Sequence, residues 1–269
     1  MLTANEILEW DDAGSPAAAQ PLLEVDGLSK SYGLKPTSWR TQIWRPWQRS
    51  AARHASGDLT APNATPRAAA RLALDRVTFA LMPGASMAIV GVAGAGKSTL
   101  ARLIMGQLAP DAGSATRSCQ VQFMPQDGAA FFPARQTITN VVAAAFAPQR
   151  LLPEAARLAA EQVLERVGLT PGLFVHDTMA RLTKGQRQRV GIALAIVGGP
   201  QVIILDEPTA GLGAVAAAPL IELLQDLRLE RGLTYLVLTR DAEVARALAD
   251  TALTLAEGHL SCSQPEATT

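Results

Sequence analysis

The residues with the clearest chemical potential are Gly91-Val92-Ala93-Gly94-Ala95-Gly96-Lys97-Ser98, which follow the P-loop pattern G-x-x-x-x-G-K-[ST]. An apolar strand, Met87–Val90, precedes them and a helix is expected to start at Lys97, the context that this pattern requires. Glycines let the backbone curl until its N–H groups point at phosphate oxygens. Lys97 then offers a point charge to the outer phosphates, Ser98 offers a hydroxyl ligand to Mg²⁺, and the helix adds its positive end. The plain alternative is a Gly-rich strand–helix turn with an incidental lysine. A second segment argues against it: Val202-Ile203-Ile204-Leu205-Asp206-Glu207 is an apolar strand that delivers two carboxylates to a sheet edge. Asp206 is expected to hold Mg²⁺ through water. Glu207 is expected to orient or deprotonate an attacking water.

Two further pieces fall in a fixed order with these. Gln126 follows the strand expected over 120–124, and Leu182-Thr183-Lys184-Gly185-Gln186-Arg187-Gln188-Arg189 opens a helix ahead of the Asp206 strand. Each also has an ordinary structural reading, Thr183 as a helix N-cap and Gln126 as a loop residue.

Positioning these groups requires a layered domain, and the composition supports one. The chain has 269 residues, 48% hydrophobic and 18% charged, with 24 basic against 24 acidic residues and no formal net charge. That balance gives a whole-protein electrostatic field no part in binding nucleic acid, and no nucleic-acid partner is expected. Cys119 and Cys262 are too few and too far apart for a disulfide framework or a cysteine metal site. His54, His176 and His259 form no ligand pair. The first twenty residues hold four acidic residues and no Lys or Arg, unlike a signal peptide, and no long apolar run suggests a membrane span.

Strands are expected at 22–25, 74–81, 86–90, 120–124, 202–205, 235–239 and 252–256, and helices at 97–108, 153–167, 184–197, 214–231 and 241–248. In the second helix Pro153 suits the first turn and Gly168 the end. The alternation gives an α/β fold with a mostly parallel sheet. Residues 1–20 read as a flexible tail, 21–260 as one domain and 261–269 as a second tail. Within the domain, residues 33–72 read as a basic excursion carrying Trp39, Trp44 and Trp47. It has three readings: contact with a membrane surface, packing on another subunit, or a solvated loop.

Taken together, the P-loop, Gln126, the L-[ST]-x-G-Q segment and Asp206-Glu207 resemble the ATP-binding subunits of ABC transporters over residues 22–260. The resemblance implies a P-loop ATPase with an antiparallel β subdomain, here reduced, and a helical subdomain over 127–197 that carries the signature segment. It implies ATP and Mg²⁺ as cofactors, with ATP held by Gly91, Val92, Ala93, Gly94, Ala95, Gly96, Lys97, Ser98 and Thr99. It also implies adenine stacking on Tyr32, Mg²⁺ sensed by Gln126 beside Ser98 and Asp206, and Thr183, Gly185 and Gln186 facing the ATP of a partner chain. The implied partners are integral permeases, a second ATPase subunit and, indirectly, an extracytoplasmic solute-binding protein. The implied location is peripheral, on the cytoplasmic face of the inner membrane.

Within the family the chain looks most like dipeptide, oligopeptide and nickel importers, on the insertion after Tyr32, Phe123-Met124-Pro125-Gln126-Asp127, and Arg135 with Thr137. It departs from the family pattern at Arg240, where a histidine is usual beside the γ-phosphate, at Gly213, where an aspartate is usual, and at Lys184 in the signature. These departures lead to the expectation of an asymmetric pair with slow or one-sided hydrolysis. The alternative is a non-hydrolysing partner of a second ATPase.

Overall fold

The computed structural model describes residues 20–33, 71–126, 135–170 and 177–262. The tryptophans of the 33–72 excursion, His54, His176 and Asp127 lie outside them, as do nearly all of the two tails.

Two sheets share one hydrophobic interior. The first is antiparallel, with β1 (Leu23–Tyr32) between β2 (Arg71–Leu81) and β4 (Ala112–Arg117). The second has six strands in the order β5-β6-β7-β3-β8-β9. These are β3 (Met87–Val90), β5 (Val121–Met124), β6 (Val202–Asp206), β7 (Thr234–Thr239), β8 (Thr251–Ala256) and β9 (His259–Cys262). Every pairing in it is parallel except β8 with β9. β2 begins at Arg71 and β9 ends at Cys262, so both strands reach two residues past the boundaries expected from the sequence.

The β6 sequence shows why this sheet is central. Val202 and Ile204 pack with α1 (Lys97–Ile104) and the antiparallel sheet, whereas Ile203 and Leu205 pack against the helices on the opposite face. A strand covered on both faces needs apolar residues at every position, and all five positions of β6 are buried. The opposite layer comprises α2 (Ile138–Ala144), α3 (Pro153–Arg166), α4 (Lys184–Ile196), α5 (Ala214–Arg231) and α6 (Ala242–Leu248).

Local chemistry sets the ends of these helices. α3 starts on Pro153 with Glu154 in its first turn, and it stops where Gly168 adopts φ +76°. The Leu169 N–H then reaches back to the Leu164 carbonyl at 2.8 Å. α1 is shorter than expected, ending at Ile104, because Gly106 turns left-handed at φ +68°. No helix among the described residues is long and apolar enough to cross a membrane.

Candidate functional site

In an open parallel sheet, ligand sites form beyond the carboxyl ends of the strands. Here β3 leads into Gly91–Gly96, β5 into Gln126, β6 into Asp206-Glu207 and β7 into Arg240, all at that edge. Together with the end of the antiparallel sheet they line one cleft of about 470 Å³. Its walls include Tyr32, Arg71, Gly94, Lys97, Ser98, Thr99, Gln126, Asp206, Glu207 and Arg240.

The loop conformation depends on its glycines. Gly96 sits at φ +113°, where a Cβ would collide with the Ala73 carbonyl oxygen of β2. Gly91 has an ordinary φ, but a Cβ there would lie 2.5 Å from the Leu255 carbonyl oxygen. The loop is therefore pressed between β2 and β8, with no room for a side chain at either end.

Lys97 is almost fully buried and its Nζ donates to the carbonyl oxygens of Gly91 (2.6 Å) and Val92 (3.2 Å). It also pairs with Glu207 Oε1 at 3.2 Å. Ser98 Oγ donates to Asp206 Oδ2 at 2.8 Å. The other Asp206 oxygen, Oδ1, is buried and has no hydrogen-bond partner. Burial pushes the Asp206 carboxyl above its ordinary range and neighbouring Glu207 adds to the rise, while the Ser98 hydrogen bond and the Lys97 and Arg102 charges oppose it. A buried carboxylate oxygen without a donor beside a serine hydroxyl is the arrangement a hard divalent cation satisfies, so Ser98 and Asp206 fit Mg²⁺.

Glu207 is held at φ +50°, a costly conformation for a residue with a side chain, and its N–H donates to the Leu238 carbonyl at 2.8 Å. That bond ties the carboxylate to the end of β7. Arg240 is exposed at the next strand end, on the turn that Asp241 closes by capping α6 through Glu243 N (2.8 Å) and Val244 N (3.3 Å). Tyr32 lies at the rim, its hydroxyl 3.4 Å from Thr99 Oγ1. The Gln126 carbonyl accepts from Gln188 Nε2 at 2.8 Å, so a buried side chain of α4 fixes the segment after β5.

Thr183, Gly185 and Gln186 do not line this cleft. Thr183 and Gln186 form a reciprocal capping box: Gln186 N donates to Thr183 Oγ1 at 3.3 Å and Thr183 N to Gln186 Oε1 at 2.8 Å. The N-cap reading therefore holds for Thr183, whatever else the segment does. The side chain of Lys184 lies across Gly211, in the loop that follows Glu207. Sequence reasoning missed two residues here, Arg71 in the cleft wall and Gln188 behind Gln126. Arg71 was concealed in the basic excursion, and only its strand pairing with Tyr32 exposes it.

The model of the ABC transporter family matches residues 74–210. An aliphatic sulfonates import ATP-binding protein of Albidiferax ferrireducens is 36% identical over 206 residues, covering 74% of this chain and 70% of the relative. One from Burkholderia cenocepacia is 33% identical over 265 residues, covering 96% of this chain and 76% of the relative. These relatives are sulfonate importers by name, whereas the sequence motifs suggested the peptide and nickel branch. The fold is similar to that of an ATP-binding cassette solved as a dimer in a post-hydrolysis state with ADP and Pi. There the TM-score is 0.69 at 21% identity, over 90% of this chain and 99% of that one. The chain belongs to the ABC transporter family, as an ATP-hydrolysing component that works with Mg²⁺.

Proposed function

We infer that the chain energises a membrane importer from the cytoplasmic face of the inner membrane. It is peripheral there, bound to permease subunits and paired with a second ATPase chain. The observation that carries this reading is the joint placement of Ser98, Asp206, Lys97 and Glu207 at the ends of β3 and β6. Gly91–Thr99 wrap the phosphates while Lys97 neutralises them from within the loop. Ser98, Asp206 and Gln126 would hold Mg²⁺, which would supply charge neutralisation at the outer phosphates. Glu207, fixed by its backbone bond to Leu238, orients and deprotonates the water. Tyr32 supplies an aromatic face for the base.

Because Thr183, Gly185 and Gln186 lie outside the chain's own cleft, their phosphate-facing role belongs to the site of a partner chain. Arg240 and Gly213 favour slow or one-sided hydrolysis, since arginine is bulky, permanently charged and unable to shuttle a proton. The cargo we propose is an organosulfonate, supported by the relatives' names. A peptide or nickel-chelate cargo rests on the insertion after Tyr32, on Phe123-Met124-Pro125-Gln126-Asp127 and on Arg135 with Thr137, and delivery of cargo falls to a solute-binding protein.

The test is a tagged pull-down from solubilised native membranes, with ATP turnover compared between the wild type and Glu207→Gln. Co-purifying permeases and a fall in turnover are expected. Unchanged turnover would make this chain the passive half of the pair. The absence of any membrane protein would overturn the importer reading.

A further inference from the structure

Two cations in the cleft wall, Arg71 and Arg240, are exposed and have no carboxylate partner among the described residues, whereas Lys97 is already paired with Glu207. Arg240 replaces a familiar group. Arg71 replaces nothing and stands on a different element. It is the first residue of β2, directly opposite Tyr32 in the antiparallel pairing with β1. Facing residues of such a pair project to the same side of the sheet, as do residues two apart on one strand. Arg71 and Tyr32 obey this rule and both line the cleft; Ala73, at a register shift of β2, lines it too.

The contact between β2 and the phosphate loop fixes how far Arg71 reaches. The Ala73 carbonyl lies so close to Gly96 that no side chain fits there, and an Arg71 guanidinium nitrogen stands 3.2 Å from where a Cβ on Gly94 would be. Gly94 itself is at φ +82°, in the middle of the loop. The guanidinium is thus parked beside the backbone of the glycine-rich loop. Asp206 and Glu207 bring two negative charges to a cleft that must accept a polyanion, which makes an unpaired cation on the open side electrostatically useful.

We propose that Arg71 is a phosphate-binding residue of the nucleotide site, donating from its guanidinium to the outer phosphates of ATP while its strand partner Tyr32 takes the base. This rests on the nucleotide-site reading given above. Arg71 is a binding residue, so its effect scales with the number of phosphates on the ligand.

The experiment is equilibrium binding of Mg-ATP, Mg-ADP and AMP to the full-length chain, as wild type, Arg71→Gln and Lys97→Ala. Arg71→Gln is expected to weaken ATP binding tenfold or more, ADP binding by less, and AMP binding less than threefold, with the thermal midpoint unchanged. An equal loss for all three nucleotides would assign Arg71 to the base or to strand packing and overturn the proposal, as would no loss for ATP. Should Arg71→Gln fold poorly, Arg71→Met keeps the aliphatic stem and carries the same expectations. Lys97→Ala separates the two levels of the argument. If it also leaves ATP binding intact, the cleft is not the nucleotide site. If it abolishes binding while Arg71→Gln does not, only the role of Arg71 fails.

Discussion

Asp206 concentrates the conflict between stability and chemistry in a single side chain. Its carboxyl is buried, one oxygen is served only by Ser98, and the other has no donor. A carboxyl raised above its ordinary range holds its proton more tightly in the folded chain. It therefore takes stability away as the pH climbs from the ordinary carboxylate range through its own higher value. Asp206→Asn removes that penalty and keeps an acceptor for Ser98. Its metal-free thermal midpoint is expected to rise by about 2–4 °C, for about 1 kcal/mol in a domain of this size, while Mg²⁺-dependent turnover disappears. A lower midpoint in a thermal melt at pH 7 would show that Asp206 is stabilising instead. At Arg240 the expectation runs toward gain: Arg240→His should raise ATP turnover of the assembled complex several-fold, and an unchanged rate would count against the proposal that Arg240 slows hydrolysis.

At the scale of elements, the loop between Glu207 and α5 is the place to test a departure from the family pattern. Gly213 caps α5 without a side-chain hydrogen bond, and the first turn holds no acidic residue. Its φ is −72° and a Cβ there meets nothing within 4 Å. Gly213→Asp should therefore be accepted, adding a few tenths of a kcal/mol through capping and the helix dipole, read as a small rise in the urea midpoint. Gly96→Ala should behave in the opposite way, because the Ala73 carbonyl occupies the required space, and nucleotide binding should be lost along with loop geometry.

The same contrast explains which elements could be read from the sequence. β6, α3 and α5 carry their own signals, namely a continuous apolar run, a Pro start with a Gly stop, and a long apolar face ending at Gly232. β4 carries none: Ala112–Arg117 is exposed at all but one position and exists because β1 offers it backbone hydrogen bonds. β9 likewise follows from its pairing with β8. The cleft was legible wherever a motif names its residues. It was not legible at Arg71, whose position depends on closing a hairpin across residues that separate its strands.

On the scale of the whole molecule, the chain enters the antiparallel sheet from α1 through Asp111, the residue before β4, which ties that entry to β1. It accepts from Lys30 Nζ at 2.7 Å and from Ser31 N and Oγ at 2.7 and 2.8 Å, which hold its carboxyl down at about 2. A lowered carboxyl contributes stability above its ordinary value of 3.8 and loses it as the pH falls toward about 2. The pair is partly exposed, so Asp111→Ala should cost no more than about 1 kcal/mol at pH 7. Its deficit against the wild type should shrink steadily in melts as the pH falls from about 4 toward about 2, and a deficit that stays constant over that range would point to packing. The hairpin of β1 and β2 has a mechanical side. Tyr32 and Arg71 face each other at one end of that pairing, and both line the cleft. A pull applied at that end of the pairing is therefore felt first by those two side chains, before it reaches the rest of the domain.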